Sequence, residues 1–156
     1  MSVRILSRIH FRCRPFVSRT QYESEADRRA ETSVIEKVVQ AFDVDGYHKL
    51  PISYVLDFAV TKSNRVIGFV EVKARSCEMQ TYPTFFVAVK KVLAAGEFER
   101  LGLKTRLFVK WRDCIGYTLL REPDQITYGG RFDRGDPADQ EPLAHFDINR
   151  FSILEE

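Results

Sequence analysis

The sequence has no long hydrophobic run. Charged residues interrupt every apolar stretch within a few positions, whereas a helix that spans a bilayer needs about 18 consecutive apolar residues. This absence excludes a transmembrane helix from the predicted organisation. We therefore expect a protein that acts away from membranes, in the cytoplasm.

Cysteine and histidine are too few and too scattered to form a familiar metal or disulfide framework. The chain has 3 Cys, an odd number without a CxxC spacing, and 3 His without an HExxH motif. These counts exclude a disulfide scaffold and a zinc site of the known patterns. Reduced thiols are the simplest interpretation, and they agree with an intracellular location.

The net charge is small as well. The 24 Lys and Arg residues exceed the 22 acidic ones by two, which is too little for the field of the whole protein to attract a polyanion. Residues 1–20 differ, because they carry five arginines and no acid. This basic segment has three interpretations: a peripheral strand or extension, a contact to nucleic-acid phosphates, or a transit peptide.

The rest of the composition is that of an ordinary folded domain. Hydrophobic residues make up 44% of the 156 residues and charged residues 29%, enough to bury a core without disulfides or metals. We expect one domain in three parts: a basic strand or extension over residues 1–20, a core over 21–120, and a loop-rich tail over 121–156 that packs on the core. The tail would contain one strand, near Phe151.

The core alternates between helical and strand patterns. Apolar residues at three- and four-residue intervals predict amphipathic helices over Gln21–Phe42 and Phe85–Leu101, the second capped by Gly102. A turn at Thr61–Arg65 predicts a hairpin. Short apolar runs bounded by turn residues predict the strands Tyr54–Val60, Val66–Lys73, Thr105–Trp111 and Ile115–Leu120.

Asp57 is the most informative residue in these strands. It lies in the middle of Tyr-Val-Leu-Asp-Phe-Ala-Val, where strand propensity disfavours Asp and burial of a charge is costly without compensation. The next strand carries Glu71 and Lys73, which the two-residue period of a strand places on one face. A three-residue loop at Ser63–Arg65 would set Asp57 directly opposite Glu71.

Two facing carboxylates about 5 Å apart destabilise a sheet unless a cation lies between them or one of them keeps its proton. Mg²⁺ fits, because carboxylates and waters hold it while substrate phosphates complete its shell. The predicted substrate is then a phosphate ester. Lys73 would stabilise charge on the attacking water or on the phosphorane. Glu-x-Lys alone is common on solvated strand faces, so this prediction depends on its combination with Asp57 and the flanking helices.

This combination resembles the PD-(D/E)XK nuclease superfamily, in its resolvase-like or small phage-type members. The resemblance implies an α/β fold: a single restriction-endonuclease-like domain with a mixed central sheet of about four strands flanked by helices, in an αβββαβ core from about Gln21 to Trp111. The patterns give only two strands between the helices, so the family's first strand would have to be Tyr47–Ile52. Leu56 replaces the Pro of the family's motif.

The resemblance also implies roles for the acidic strand residues. In such proteins the residues corresponding to Asp57 and Glu71 bind magnesium, and the carbonyl of the intervening residue, here Val72, can complete the metal shell. The residue corresponding to Lys73 assists the nucleophilic water.

Both helices would add polar residues to the site. The stretch Arg-Ala-Glu-Thr-Ser-Val-Ile is similar to the resolvase-type first helix and makes Glu31 a further metal ligand and catalytic residue, with Glu36 as its rival. A solvated helix face is the ordinary alternative for both. After the Glu-x-Lys strand, Lys91 or Lys90 would supply another group, and we assign Lys91 to catalysis. Lys90 and Arg75 are assigned to nucleic-acid binding.

The predicted function is therefore a magnesium-dependent DNA endonuclease that hydrolyses phosphodiester bonds, with Mn²⁺ able to substitute. DNA is the expected partner, and a homodimer would suit symmetric cutting of two strands, although no residue pattern demands one. The stretch from Gly129 to Pro142 is similar to the end of small phage-encoded nuclease-like proteins, which suggests a phage gene expressed in a bacterial host. The alternative function is a catalytically inactive nucleic-acid-binding module on the same fold.

Overall fold

The computed structural model describes residues 24–130 and 140–155. The predicted basic strand or extension over residues 1–20 lies outside the described residues, as do residues 131–139 of the tail. In the part of the chain that is described, no helix is both long enough and apolar enough to cross a bilayer.

The described ranges contain two α-helices, nine strands and two short 3-10 helices. The helices are α1 (Glu25–Ala41) and α2 (Val89–Arg100). The strands are β1 (Gly46–Lys49), β2 (Phe58–Lys62), β3 (Arg65–Ala74), β4 (Thr84–Ala88), β5 (Lys104–Lys110), β6 (Ile115–Leu119), β7 (Gln125–Gly130), β8 (Gln140–Asp147) and β9 (Ser152–Ile153). Within these residues the order β1-β2-β3-β5-β6-β9 forms a central sheet, and β4-β8-β7 forms a second sheet.

The central sheet is mixed and lies between the two helices. β3 pairs with β5 in parallel, whereas its other neighbour, β2, is antiparallel. Val70 and Val72 pack in one core cluster with the buried residues of α1, while Phe69 points the other way and stacks on Phe98 of α2 at 4.1 Å between ring centroids. The predicted α/β class with a mixed central sheet flanked by helices is confirmed, but the described central sheet has six strands rather than about four.

Both predicted helices form, and each is shorter than its pattern indicated. α1 starts at Glu25 rather than Gln21, and α2 starts at Val89 because the preceding residues 84–88 extend as β4. At the end of α2, the Gly102 N–H donates to Glu99 O and the Leu103 N–H to Phe98 O, with Gly102 at φ 79°. This is the left-handed cap predicted at Gly102.

The β2–β3 hairpin sets the register that the site depends on. Its turn has two residues, Ser63 and Asn64, both with positive φ, as a tight hairpin with the sheet's natural twist requires. The three-residue loop predicted at Ser63–Arg65 is therefore wrong. A bulge between Val60 and Thr61 shifts the register by one residue instead, so that Phe58 pairs with Val70. Asp57 consequently comes opposite Glu71.

The segment before β2 differs from the prediction. Residues 51–57 form turns and bends rather than the first half of a strand Tyr54–Val60, and β2 begins only at Phe58. The family's first strand, expected at Tyr47–Ile52, is β1 at residues 46–49, where it pairs with β2. Asp57 therefore lies immediately before a strand instead of in the middle of one.

The residues after Arg121 are not a loop-rich tail with one strand. They contain β7, β8 and β9, and β8 lies at the centre of the second sheet. Ala144 and Phe146 of β8 are buried and alternate with more exposed neighbours, which is a strand pattern. The Pro, Gly and Asp content of the surrounding residues concealed this pattern from the sequence-based prediction.

We expect Phe146→Ala to destabilise the protein by about 3–5 kcal/mol, because it empties a fully buried site in the main core cluster. Tyr128→Ala is the matched control in the same sheet, since this side chain is 73% exposed and should contribute little. Urea unfolding of both variants measures the difference. Equal costs for the two substitutions would contradict the inclusion of the second sheet in the core.

Candidate active site

Asp57 is held against the backbone of β3. Its N–H donates to Val70 O at 3.2 Å, and its carbonyl accepts from the Leu50 N–H at 2.9 Å. Its carboxylate oxygen Oδ2 accepts from the Val72 N–H at 2.8 Å. Because Val72 lies between Glu71 and Lys73, this bond fixes the Asp57 carboxylate next to both side chains.

Glu71 is fully buried, which is unusual for a carboxylate. Lys73 Nζ lies 2.5 Å from its Oε1, and Lys91 Nζ lies 2.7 Å from its Oε2. The contact with Lys73 lacks hydrogen-bond geometry, so Oε1 has no hydrogen-bond partner among the described residues. Two ammonium groups therefore compensate the buried charge, but one carboxylate oxygen is incompletely satisfied.

Lys91 connects α2 to the segment that carries Asp57. Besides Glu71, its ammonium donates to the backbone carbonyl of Val55 at 2.9 Å. Lys90, one residue earlier, points elsewhere and pairs with Glu141 at 3.0 Å. Of the two rival lysines, the structure places Lys91 in the site.

Glu31 of α1 faces the same group of residues, whereas its rival Glu36 is exposed to solvent. The Glu31 side chain is only 17% exposed and accepts a hydrogen bond from Lys49 of β1. It also lies close enough to Asp57 and Lys73 to interact with their charges. The first helix therefore contributes a carboxylate to the cluster from the other side of the sheet.

The charges of this cluster shift the proton affinities of its members. Burial raises the pKa of Glu71 above its usual range, Lys73 opposes the rise, and the negative charge of Asp57 adds to it. Burial also raises the pKa of Glu31. Burial alone would lower the pKa of Lys73, but the carboxylates around it outweigh that effect and raise it.

Arg75 lies in phase with Glu71 and Lys73 but outside this cluster. Its guanidinium lies over the ring of Phe85, 4.8 Å from the centroid, at the far end of β3.

The sequence patterns missed Lys49 entirely. β1 was expected only because the family requires a strand there, and no feature of the short stretch Gly-Tyr-His-Lys distinguishes that lysine from a solvated one.

Comparison with known proteins bears on this arrangement. The family model described as "Phage putative PDDEXK endonuclease" matches residues 17–154. The chain belongs to this family. The match covers the strands that carry the cluster, both helices and the described part of the second sheet.

Among solved structures, this PDDEXK-family protein is similar to Hjc, a Holliday junction resolvase from Archaeoglobus fulgidus. The two share 14% sequence identity over 62% of this chain and 74% of that chain, with a TM-score of 0.42. A comparison with curated proteins finds no match.

A divalent metal, which PDDEXK nucleases typically use, can be tested against the residues present. The available donors are carboxylate oxygens of Asp57, Glu71 and Glu31, which suit a hard cation. Oε1 of Glu71, buried without a hydrogen-bond partner among the described residues, is a natural ligand. Within residues 24–130 and 140–155, however, no three acidic, His or Cys side chains are already gathered as metal ligands. The donor set fits, provided that Lys73 gives up its contact with Oε1.

We expect Lys91→Met to destabilise the protein by about 3 kcal/mol near pH 8, because it breaks a buried ion pair. This value is at the lower end of the range for such pairs, since Lys73 still contacts Glu71 in the variant. The loss should be smaller at pH 5. Without Lys91 the already raised pKa of Glu71 rises further, so the folded state retains a proton that the unfolded chain releases above about pH 4. The free energy of unfolding of the Lys91→Met variant therefore falls as the pH rises toward the pKa of Glu71 in the folded protein.

Lys90→Met is the control for this experiment. Its lysine is 55% exposed, so loss of the pair with Glu141 should cost at most about 1 kcal/mol at either pH. Chemical denaturation at pH 5 and pH 8 measures both variants. A Lys91→Met cost that does not change with pH would contradict a role for Lys91 in keeping Glu71 ionised.

Proposed function

We propose that this PDDEXK-family protein is a magnesium-dependent DNA endonuclease that hydrolyses phosphodiester bonds. The observation that carries the proposal is the convergence of Asp57, Glu71 and Lys73 at the start of β2 and the end of β3, with Glu31 and Lys91 added from the two helices. Five polar side chains from four different elements meet at one point of the fold. A merely solvated Glu-x-Lys strand would have no reason to bury its glutamate.

Asp57, Glu71 and Glu31 are the side chains that would hold Mg²⁺ or a substituting Mn²⁺, with the carbonyl of Val72 as a further ligand. A bound divalent cation supplies a water of lowered pKa and neutralises charge on the phosphoryl oxygen. Because Glu71 is fully buried, solvent water is kept away from its carboxylate oxygens. The Val72 N–H keeps the Asp57 carboxylate from rotating away.

Lys73 has the properties of an electrostatic stabiliser rather than a general base. Burial lowers the pKa of Lys73, but the carboxylates of Glu71 and Asp57 outweigh that effect and raise it, which favours the protonated ammonium in the metal-free protein. A fixed positive charge beside the reacting phosphate can instead orient the water and stabilise the negative charge that develops in the transition state.

Lys91 is proposed as a catalytic-site residue that fixes the Glu71 carboxylate through Oε2. Arg75 and Lys90 are proposed to contact nucleic-acid phosphates outside the cluster. The family description favours action on DNA inside a bacterial host, and a homodimer would allow two strands to be cut symmetrically.

One observation favours a second function, a catalytically inactive nucleic-acid-binding module. Each oxygen of Glu71 is contacted by a lysine, and such ion pairs can replace a metal in keeping the carboxylate charged. The two functions differ in whether Mg²⁺ displaces the Lys73 contact. The experiments below separate them.

We expect Mg²⁺-dependent cleavage of DNA that a chelator abolishes and that Lys73→Ala reduces about 10²- to 10⁴-fold in kcat. Labelled linear, circular, single-stranded and branched DNA are the substrates, and cutting of closed circles identifies an endonuclease. Lys62→Ala is the control, because that lysine pairs with Asp43 beyond the hairpin bulge. Binding without cutting on every substrate and metal would support the inactive module.

Mg²⁺ should also raise the melting temperature of the wild-type protein, because a ligand that binds only the folded state stabilises it. Asp57→Asn and Glu31→Gln should lose most of this shift, since each removes a charged metal ligand. Glu36→Gln, on the solvent-exposed face of the same helix, should retain it. Thermal unfolding with and without Mg²⁺ measures this independently of activity, and an equal shift in Glu31→Gln and Glu36→Gln would exclude Glu31 as a ligand.

A further inference from the structure

A cavity of about 280 Å³ lies just beyond the end of β3, beside β4. Aromatic side chains form much of its wall, and its volume lies near the lower end for small-molecule sites, so it suits a single planar ring system. Its lining includes Arg75, Tyr82, Phe85, Phe86, Trp111 and His145.

The cavity begins two residues along the chain from Lys73 of the candidate active site. The Arg75 N–H donates to Lys110 O at 2.8 Å, which extends the pairing of β3 with β5 by one residue, so the strand alternation continues. Lys73 and Arg75 therefore project to the same side of the sheet, about 6.6 Å apart along the strand. A group bound in the cavity would lie beside the reacting phosphate.

Aromatic surface is exposed at the mouth of the cavity. Tyr82 is 64% exposed and Phe86 is 44% exposed, whereas Phe85 is buried and meets the Trp111 ring edge-on at 5.8 Å. Exposed rings around a concave site are typical of binding surfaces, and every nucleobase offers a flat face on which such rings can stack.

The charge at the mouth is positive. Among the described residues Arg75 has no carboxylate partner within ion-pair distance, and its guanidinium lies over the Phe85 ring at 4.8 Å. A cation at the rim of an aromatic cavity matches a nucleotide, whose phosphate lies outside while its base enters. The ligand that fits this cavity therefore has an anionic group attached to a planar ring.

The imidazole of His145, which lines the cavity, is already engaged. The ring nitrogens of His145 contact the hydroxyls of Thr84 at 3.3 Å and Thr127 at 2.8 Å. They have little capacity left to read the hydrogen-bonding edge of a base. Binding by stacking would therefore tolerate any base.

We propose that this cavity binds one unpaired nucleobase adjacent to the cut site, so that the substrate is DNA with unpaired nucleotides rather than a continuous duplex. The proposal rests on the proposed nuclease function. A paired base inside a duplex is not free to enter the cavity unless it is flipped out at the cost of its stacking and pairing.

The test is binding of labelled DNA with chelator and, separately, with Ca²⁺ in place of Mg²⁺. Wild-type protein should bind a single strand at least about tenfold more tightly than the same strand in a blunt duplex. Tyr82→Ala and Phe86→Ala should each weaken single-strand binding about 10- to 100-fold and leave duplex binding unchanged. Phe86→Tyr, which keeps the ring, should bind like wild type, and so should Tyr128→Ala, whose exposed ring lies outside the cavity.

Two further measurements locate the base. A series of strands, each with one abasic nucleotide, should show a loss of affinity at one position only, and that loss should disappear in Phe86→Ala. Trp111 is the single tryptophan of the chain and lines the cavity, so its fluorescence should be quenched by the intact strand and less by that abasic strand.

Equal affinity for duplex and single strand, or normal binding by both alanine variants, would overturn the cavity proposal. In that case cleavage of duplex DNA with Mg²⁺ would leave the nuclease function intact. A protein that binds no DNA and cuts none would end both proposals.

Discussion

The buried carboxylate of Glu71, held between Lys73 and Lys91, is the interaction on which the arrangement of this protein depends. A carboxylate with no solvent access is stable in its charged form only beside compensating cations. One of these comes from the same strand and the other from α2, so the charge ties helix to sheet. The same burial raises the pKa of Glu71, and the negative charge of Asp57 adds to the rise.

Lys91 extends that constraint to the chain segment before β2. By donating to the Val55 carbonyl as well as to Glu71, it positions the irregular residues that precede Asp57. The Asp57 carboxylate then bonds to the backbone of β3. The side chains of Lys91 and Asp57 are therefore each fixed by a hydrogen bond with the backbone.

Much of this could be predicted from the sequence, because the relevant signals are local. A charged residue among apolar ones marked Asp57, strand alternation placed Glu71 and Lys73 together, and helical periodicity gave both helices. The sequence patterns placed Asp57 opposite Glu71 by means of a three-residue turn. In the structure, a two-residue turn and a β-bulge together bring the two residues opposite each other. A turn that is one residue shorter and a bulge of one residue leave the pairing of Asp57 with Glu71 unchanged. The alternation of side chains along the two strands therefore cannot show which of the two hairpins forms.

The remaining parts depend on contacts that are distant along the chain. Lys49 and Glu31 meet only because β1 joins the central sheet, and the second sheet pairs residues 84–88 with residues 143–147. Pro142 and the glycines of β7 are strand-breaking residues locally, yet Ala144 and Phe146 gain enough from burial to extend that segment. The local composition therefore gave the wrong interpretation of the residues after Arg121.

The bulge in the β2–β3 hairpin means that chain length between the two acids, and not only their identity, determines whether they meet. Asp57 and Glu71 are 14 positions apart, and one strand residue more or fewer would turn Glu71 toward α1 and away from Lys91. A relative could keep every acidic and basic side chain of the cluster and still lose the site through a single insertion or deletion. In this family, intactness of the site should therefore be judged from alignment gaps in the hairpin as well as from substitutions.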